Sequence, residues 1–153
     1  MCENEPQSLF ERPILSTEAF VGREPVARAR DVAYRFLTEV QAAHGIPVSA
    51  RVVGMVQLVV SELVTNAYKY APGPCLMDLE VRGGGVEISV WDTDPRLPVV
   101  RAADPGRVGQ HGLEIVAAVC RVLEIRREPV GKRIRAVITL TDDPDGHPAG
   151  RLD

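Results

Sequence analysis

Between Glu24 and about Ala43, the apolar residues Val26, Ala29, Ala33, Phe36, Leu37 and Val40 recur at steps of three and four, while Arg28, Arg30, Asp31, Arg35 and Glu39 occupy other faces. That period predicts an amphipathic helix, with Pro25 suited to its first turn and "HGIP" placed to stop it. Ser49 is positioned to cap a second helix running to about Ala71, where "PGP" closes it. Its run "VVGMVQLVVSELV" is apolar on most sides, so this helix should lie at the centre of the fold. "CLMDLEVRG" and "GVEISVWDT" are alternating or β-branched and are separated by Gly83 to Gly85, which predicts a hairpin. After a loop over residues 93 to 108, "GLEIVAAVCRVL" reads as a third helix starting just past Gly112, and "LEIRREPVGKRIRAVITL" as a second hairpin turning at "PVGK". Leu9 to Glu18 are able to add a further strand. Helices interleaved with hairpins predict an α/β (α+β) two-layer sandwich, a mostly antiparallel sheet with helices on one face.

Composition narrows the class of partner. A chain of 153 residues, 45% apolar and 25% charged, is sized for one domain with a proper core. That domain is expected over residues 8 to 141, with residues 1 to 7 and the Pro-, Gly- and Asp-rich residues 142 to 153 as flexible ends. A net charge of −3 offers no broad attraction for a polynucleotide, so no nucleic acid partner is expected. No apolar run approaches the roughly 20 residues that span a bilayer, and the N-terminus lacks the basic start and apolar stretch of a signal peptide, so a cytoplasmic protein without a membrane partner is expected. Cys2, Cys75 and Cys120 are odd in number and form no C-x-x-C pair, and they read as reduced thiols, two of them buried.

Candidate chemistry begins in "SELVTNAYKYA". Glu62, Asn66 and Lys69 stand at i, i+4 and i+7 and project from one helix face. Alone, such a stripe reads as a solvated face. A solvated face does not account for the next stretch of chain, in which a strand ends at Asp92, a long Pro-containing loop succeeds it, and Gly106, Gly109 and Gly112 are spaced three apart before a helix. Each part suits a nucleotide. Glycines before a helix N-terminus let backbone N–H groups approach phosphate. A carboxylate at a strand end accepts hydrogen bonds from an exocyclic amine. An asparagine oxygen is a hard ligand for Mg²⁺, a glutamate one turn earlier is able to deprotonate a hydroxyl, and a lysine one turn later neutralises phosphate charge.

These segments resemble a known family. "SELVTNAYKYA" is similar to the N box, "VWDTDP" to the first glycine box and "GRVGQHGLEIV" to the second glycine box of the GHKL (histidine-kinase-like) ATPases, and the resemblance spans roughly residues 20 to 140. A short chain of this kind looks most like the anti-sigma-factor serine/threonine kinase branch, especially the actinobacterial regulators. The resemblance implies Glu62 as catalytic base, Asn66 as Mg²⁺ ligand, and Lys69 and Tyr70 near phosphate or ribose. It further implies Asp92 on the adenine amine, residues 93 to 108 as a lid over ATP, and Gly109 and Gly112 against the phosphates. The implied partners are a sigma factor and an anti-sigma-factor antagonist, and a homodimer is common in that branch. Two departures stand out: D-x-G-x-G appears as Asp92-Thr93-Asp94-Pro95-Arg96, without either glycine, and the second box reads G-x-x-G.

Other residues read more plainly. His44, His111 and His147 share no ligand spacing, and Trp91 alternates away from Asp92 and reads as packing. Arg126, Arg127, Lys132, Arg133 and Arg135 flank a hairpin turn and read as a solvated edge, with a docking surface as the second reading. Three functions are therefore in play: an ATP- and Mg²⁺-dependent protein kinase, a nucleotide-binding or degenerate partner-binding module without phosphotransfer, and a small α/β protein with no nucleotide site.

Overall fold

The structure, a computed structural model, describes residues 13–22, 24–70, 73–94 and 112–140, the side chain of Tyr70 excepted. Five strands, β1 (Ile14–Phe20), β2 (Cys75–Arg82), β3 (Gly85–Asp92), β4 (Val122–Arg127) and β5 (Lys132–Thr139), accompany three helices, α1 (Val26–His44), α2 (Ala50–Tyr70) and α3 (Gly112–Val119). The sheet order is β1-β2-β3-β5-β4 and every neighbouring pair is antiparallel. This is the α+β architecture the pattern predicted.

Local chemistry explains the element boundaries. Gly45 ends α1 at φ +68°, a left-handed conformation that glycine adopts without steric cost. The Ser49 hydroxyl accepts the Val52 N–H at 3.2 Å and caps α2. Gly83 and Gly84, at φ +60° and +78°, supply the mirrored two-residue turn that matches the twist of the β2–β3 hairpin.

Three boundaries differ from the periodicity. α1 starts at Val26, with Pro25 as the residue before it rather than in its first turn, because Pro25 is extended at ψ 144°. α3 stops at Val119, and Val122 and Leu123 open β4 instead: the Arg121 N–H already donates to the Val137 carbonyl at 2.8 Å. A short apolar run fits helix or strand alike, and here the free edge of β5 captures its end. The first strand spans Ile14–Phe20, held in register from Val81 to Cys75, rather than Leu9 to Glu18. Residues 9–12 lie outside the described residues, as do the whole of both expected flexible ends, residues 1–7 and 142–153.

Strand alternation divides the sheet. Met77, Leu79, Val81, Val86, Ile88, Val90, Ile134, Ala136 and Ile138 are buried on the face that α2 covers. α2 contributes Val52, Val56, Val59, Val60, Leu63, Val64 and Ala67 to the same core, and each fully buried valine or leucine contributes about 1.5–3 kcal/mol. α1 packs on α2 and β1, and α3 on α2 and β4. The other face is polar, with Arg135 paired to Glu87 at 2.8 Å and Arg133 stacked 4.9 Å from the Trp91 ring centre. Trp91 thus packs on the face opposite Asp92, as alternation required. Among the described residues no helix is long and apolar enough to cross a membrane.

Candidate functional site

The apolar stripe of α2 fixes the helix against the sheet and leaves Glu62 and Asn66 half-buried beside that stripe, with Lys69 exposed in the last turn. The first residue of α3 lies against Glu62: a Cβ added to Gly112 would stand 2.5 Å from Glu62 Oε1. Only a residue without a side chain lets the helix start approach that carboxylate without displacing it. The structure therefore brings Glu62, Asn66 and Gly112 to one place. Gly109, like residues 95–111 generally, and the Tyr70 side chain lie outside the described residues.

Asn66 carries an informative defect. Its Oδ1 is buried and has no hydrogen-bond partner among the described residues, and an unmet buried acceptor costs about 1–3 kcal/mol. A cation ligated by that oxygen would remove the cost, so the residue fits a Mg²⁺ site. Among the described residues no group of three His, Cys, Asp or Glu is placed to hold a metal. A divalent ion on Asn66 would accordingly draw most of its ligands from phosphate and water, which is how Mg²⁺ commonly binds.

Asp92 is in a different condition. It ends β3 at 5% exposure, directly across from Lys132, the first residue of β5. The Lys132 ammonium reaches Asp92 Oδ2 at 2.9 Å and Oδ1 at 3.1 Å, and the Asp94 N–H donates to Oδ1 at 2.9 Å. Gly131 sets this up: at φ +77° it folds so tightly over the end of β3 that a Cβ would fall 1.7 Å from the Asp92 carbonyl oxygen.

The basic run around the second hairpin is therefore not one solvated edge. Lys132 is 1% exposed, and β5 is an inner strand flanked by β3 and β4, where Arg133 and Arg135 meet Glu87. Only Arg126 and Arg127 of that run sit on the edge strand β4. Lys132 was missed as a site residue because its partner is 40 positions away on a strand that is not its sequence neighbour. A signal did exist: the turn at "PVGK" makes Lys132 the first residue of β5, and strand alternation from the apolar Ile134 and Ala136 assigns it to the inner face.

The surroundings are settled chemically. Burial, and then the nearby charges of Asp92 and Glu24, push the Cys75 thiol up to about 11, and burial pushes Cys120 up to about 11. Neither is a thiolate at neutral pH. The Tyr68 hydroxyl, raised to about 12 by burial and by Glu24, donates to Glu24 Oε1 at 3.3 Å and ties the end of α2 to the segment before α1. A cleft of about 300 Å³ lined by Arg82, Glu87, Arg121 and Arg135 lies on the other face of the sheet, at the end away from Asp92, and includes none of Glu62, Asn66, Asp92, Gly112 and Lys132.

What remains is an arrangement with a carboxylate and an amide oxygen unpartnered among the described residues on a central helix, a glycine at the start of the next helix, and an acid at a strand end. No curated protein matches the chain. A family model for the histidine kinase-like ATPase domain matches residues 24–138, from just before α1 to the penultimate residue of β5. The chain belongs to the histidine kinase-like ATPase family.

Proposed function

We propose that this protein binds ATP with Mg²⁺ between α2 and the start of α3, and acts as a serine/threonine kinase on an anti-sigma-factor antagonist while competing for a sigma factor. The observation that carries the nucleotide reading is the buried Asn66 Oδ1, without a partner among the described residues, one turn from Glu62, with Gly112 against the Glu62 carboxylate. Asn66 would hold Mg²⁺, whose chemistry is to neutralise phosphate charge. Glu62 accepts the proton of the acceptor hydroxyl as its oxygen bonds to the γ-phosphorus. The bond from that phosphorus to the β,γ-bridging oxygen breaks, and ADP leaves with the electron pair. Backbone N–H groups at the start of α3 and the Lys69 ammonium stabilise the charge on the phosphoryl oxygens. The phosphorylated antagonist carries about two added negative charges, which would disfavour its interface and exchange one partner for the other.

A second reading, a nucleotide-binding module without phosphotransfer, is favoured by the engaged Asp92 and by the absence of both glycines from the first box. Calorimetry with ATP and Mg²⁺, followed by transfer from γ-labelled ATP to a candidate antagonist, separates the two. The kinase reading expects Glu62→Ala to bind ATP but transfer nothing. Transfer that persists in Glu62→Ala removes Glu62 as the base, and binding without any transfer in the wild type leaves the module.

A further inference from the structure

Resting on the reading of this site as a nucleotide pocket, we infer that Lys132 makes the pocket tolerant of the purine base, so that the ligand class is purine nucleoside triphosphates rather than ATP alone. A carboxylate offers about four lone-pair positions. Lys132 takes one on each oxygen of Asp92 and the Asp94 N–H takes the second on Oδ1, which leaves a single position on Oδ2. Both side chains of the pair are 2% exposed, so water does not weaken the attraction.

An incoming purine amine is a neutral donor. Its bond to a carboxylate is charge-assisted on one side only, whereas the Lys132 ammonium carries a full opposite charge and holds both oxygens of Asp92. It does not displace the ammonium. At most it shares the remaining position on an oxygen whose charge is already neutralised. Lys132 also has one hydrogen poorly used, since its third contact, to the Asp94 carbonyl, is long at 3.5 Å. At 2% exposure the ammonium is enclosed between Asp92 and that carbonyl, so the base gains no strong charged contact from it. Beside a carboxylate whose acceptor capacity is nearly spent, an amine at purine position 6 and a carbonyl at the same position become comparable ligands. Discrimination by the base falls away, and affinity rests on the triphosphate contacts. Lys132 is thus a specificity-determining residue that acts largely through Asp92.

The test is the ratio of affinities for ATP and for inosine triphosphate, which has a carbonyl where ATP has the amine, measured by calorimetry with Mg²⁺. The wild type is expected to bind the two within about threefold, less than the roughly tenfold that one net hydrogen bond is able to supply. Lys132→Met, measured on folded protein at low temperature, should raise the preference for ATP by about tenfold by freeing Asp92, and the double variant Asp92→Asn/Lys132→Met should return the ratio to the wild-type value. A merely structural lysine would change both affinities alike and leave the ratio alone. A wild-type preference for ATP of tenfold or more overturns the inference and leaves the nucleotide reading intact, as does a ratio unmoved in folded Lys132→Met. If Lys132→Met does not fold, the wild-type ratio decides alone. Failure of the wild type to bind either triphosphate overturns both the reading and the inference.

Discussion

The two polar regions of the proposed pocket differ in how completely the chain satisfies them. On α2, Asn66 keeps a buried oxygen with no protein partner among the described residues. At the end of β3, Asp92 is enclosed by a lysine and a backbone N–H. The first region is left with an unmet group at a cost to stability, whereas the second is closed by partners from the chain itself. An unmet buried group is the stronger pointer to a ligand, because folding alone gives no reason to keep it. A satisfied buried pair is compatible with folding alone, and so its role has to be read from what it leaves available.

That contrast can be broken by substitution. The largest effect is expected from Gly131→Ala, whose Cβ would overlap the Asp92 backbone and which would hold a left-handed φ. Its urea midpoint should fall below those of Lys132→Met, Asn66→Ala and Ser49→Ala. Lys132→Met leaves the Asp92 carboxylate buried without its counterion and should cost about 3–5 kcal/mol in urea unfolding, most of it recovered in Asp92→Asn/Lys132→Met. Asn66→Ala should behave in the opposite way. Nucleotide affinity in Mg²⁺ falls by about tenfold or more in calorimetry, while the unfolding midpoint is unchanged or rises because an unmet acceptor is gone. Equal losses of stability at Asn66 and Lys132 would erase the distinction between the two regions.

Two smaller effects sharpen it. Ser49→Ala should lower stability by about 1 kcal/mol through loss of the α2 cap, without changing the ratio of affinities for ATP and inosine triphosphate. The weakest effect is expected in acid. The Val21 N–H, above all, and that of Gly22 hold the Glu24 carboxyl below its ordinary value. Its contribution is therefore complete at neutral pH and is lost as pH falls through the depressed folded value. Glu24→Gln should flatten the stability profile in that acidic window alone, a result that an unfolding series against pH would reveal.

Much of the site was legible in the chain because its main pieces are local. Glu62 and Asn66 are one helical turn apart, so the period that predicts α2 also aligns their side chains. Trp91 and Asp92 are adjacent in a strand, so alternation separates their faces. The end of α3 was less legible, because eight or so apolar residues fit either period, and only the hydrogen bond from Arg121 to β5 decides where the helix stops.

By itself the sequence determined the two long helices, the two hairpin turns, the polar stripe on α2 and the glycine-led start of α3, all properties of neighbours along one backbone. Tertiary structure alone decided that β5 lies between β3 and β4, that Lys132 faces Asp92, and that Gly112 meets Glu62. These depend on which distant segments share a core and in what register they pair. A one-residue slip of β5 would move Lys132 to the polar face. The pairing of the strand-end acid, and with it the proposed tolerance for the base, is thus a consequence of packing rather than of any motif.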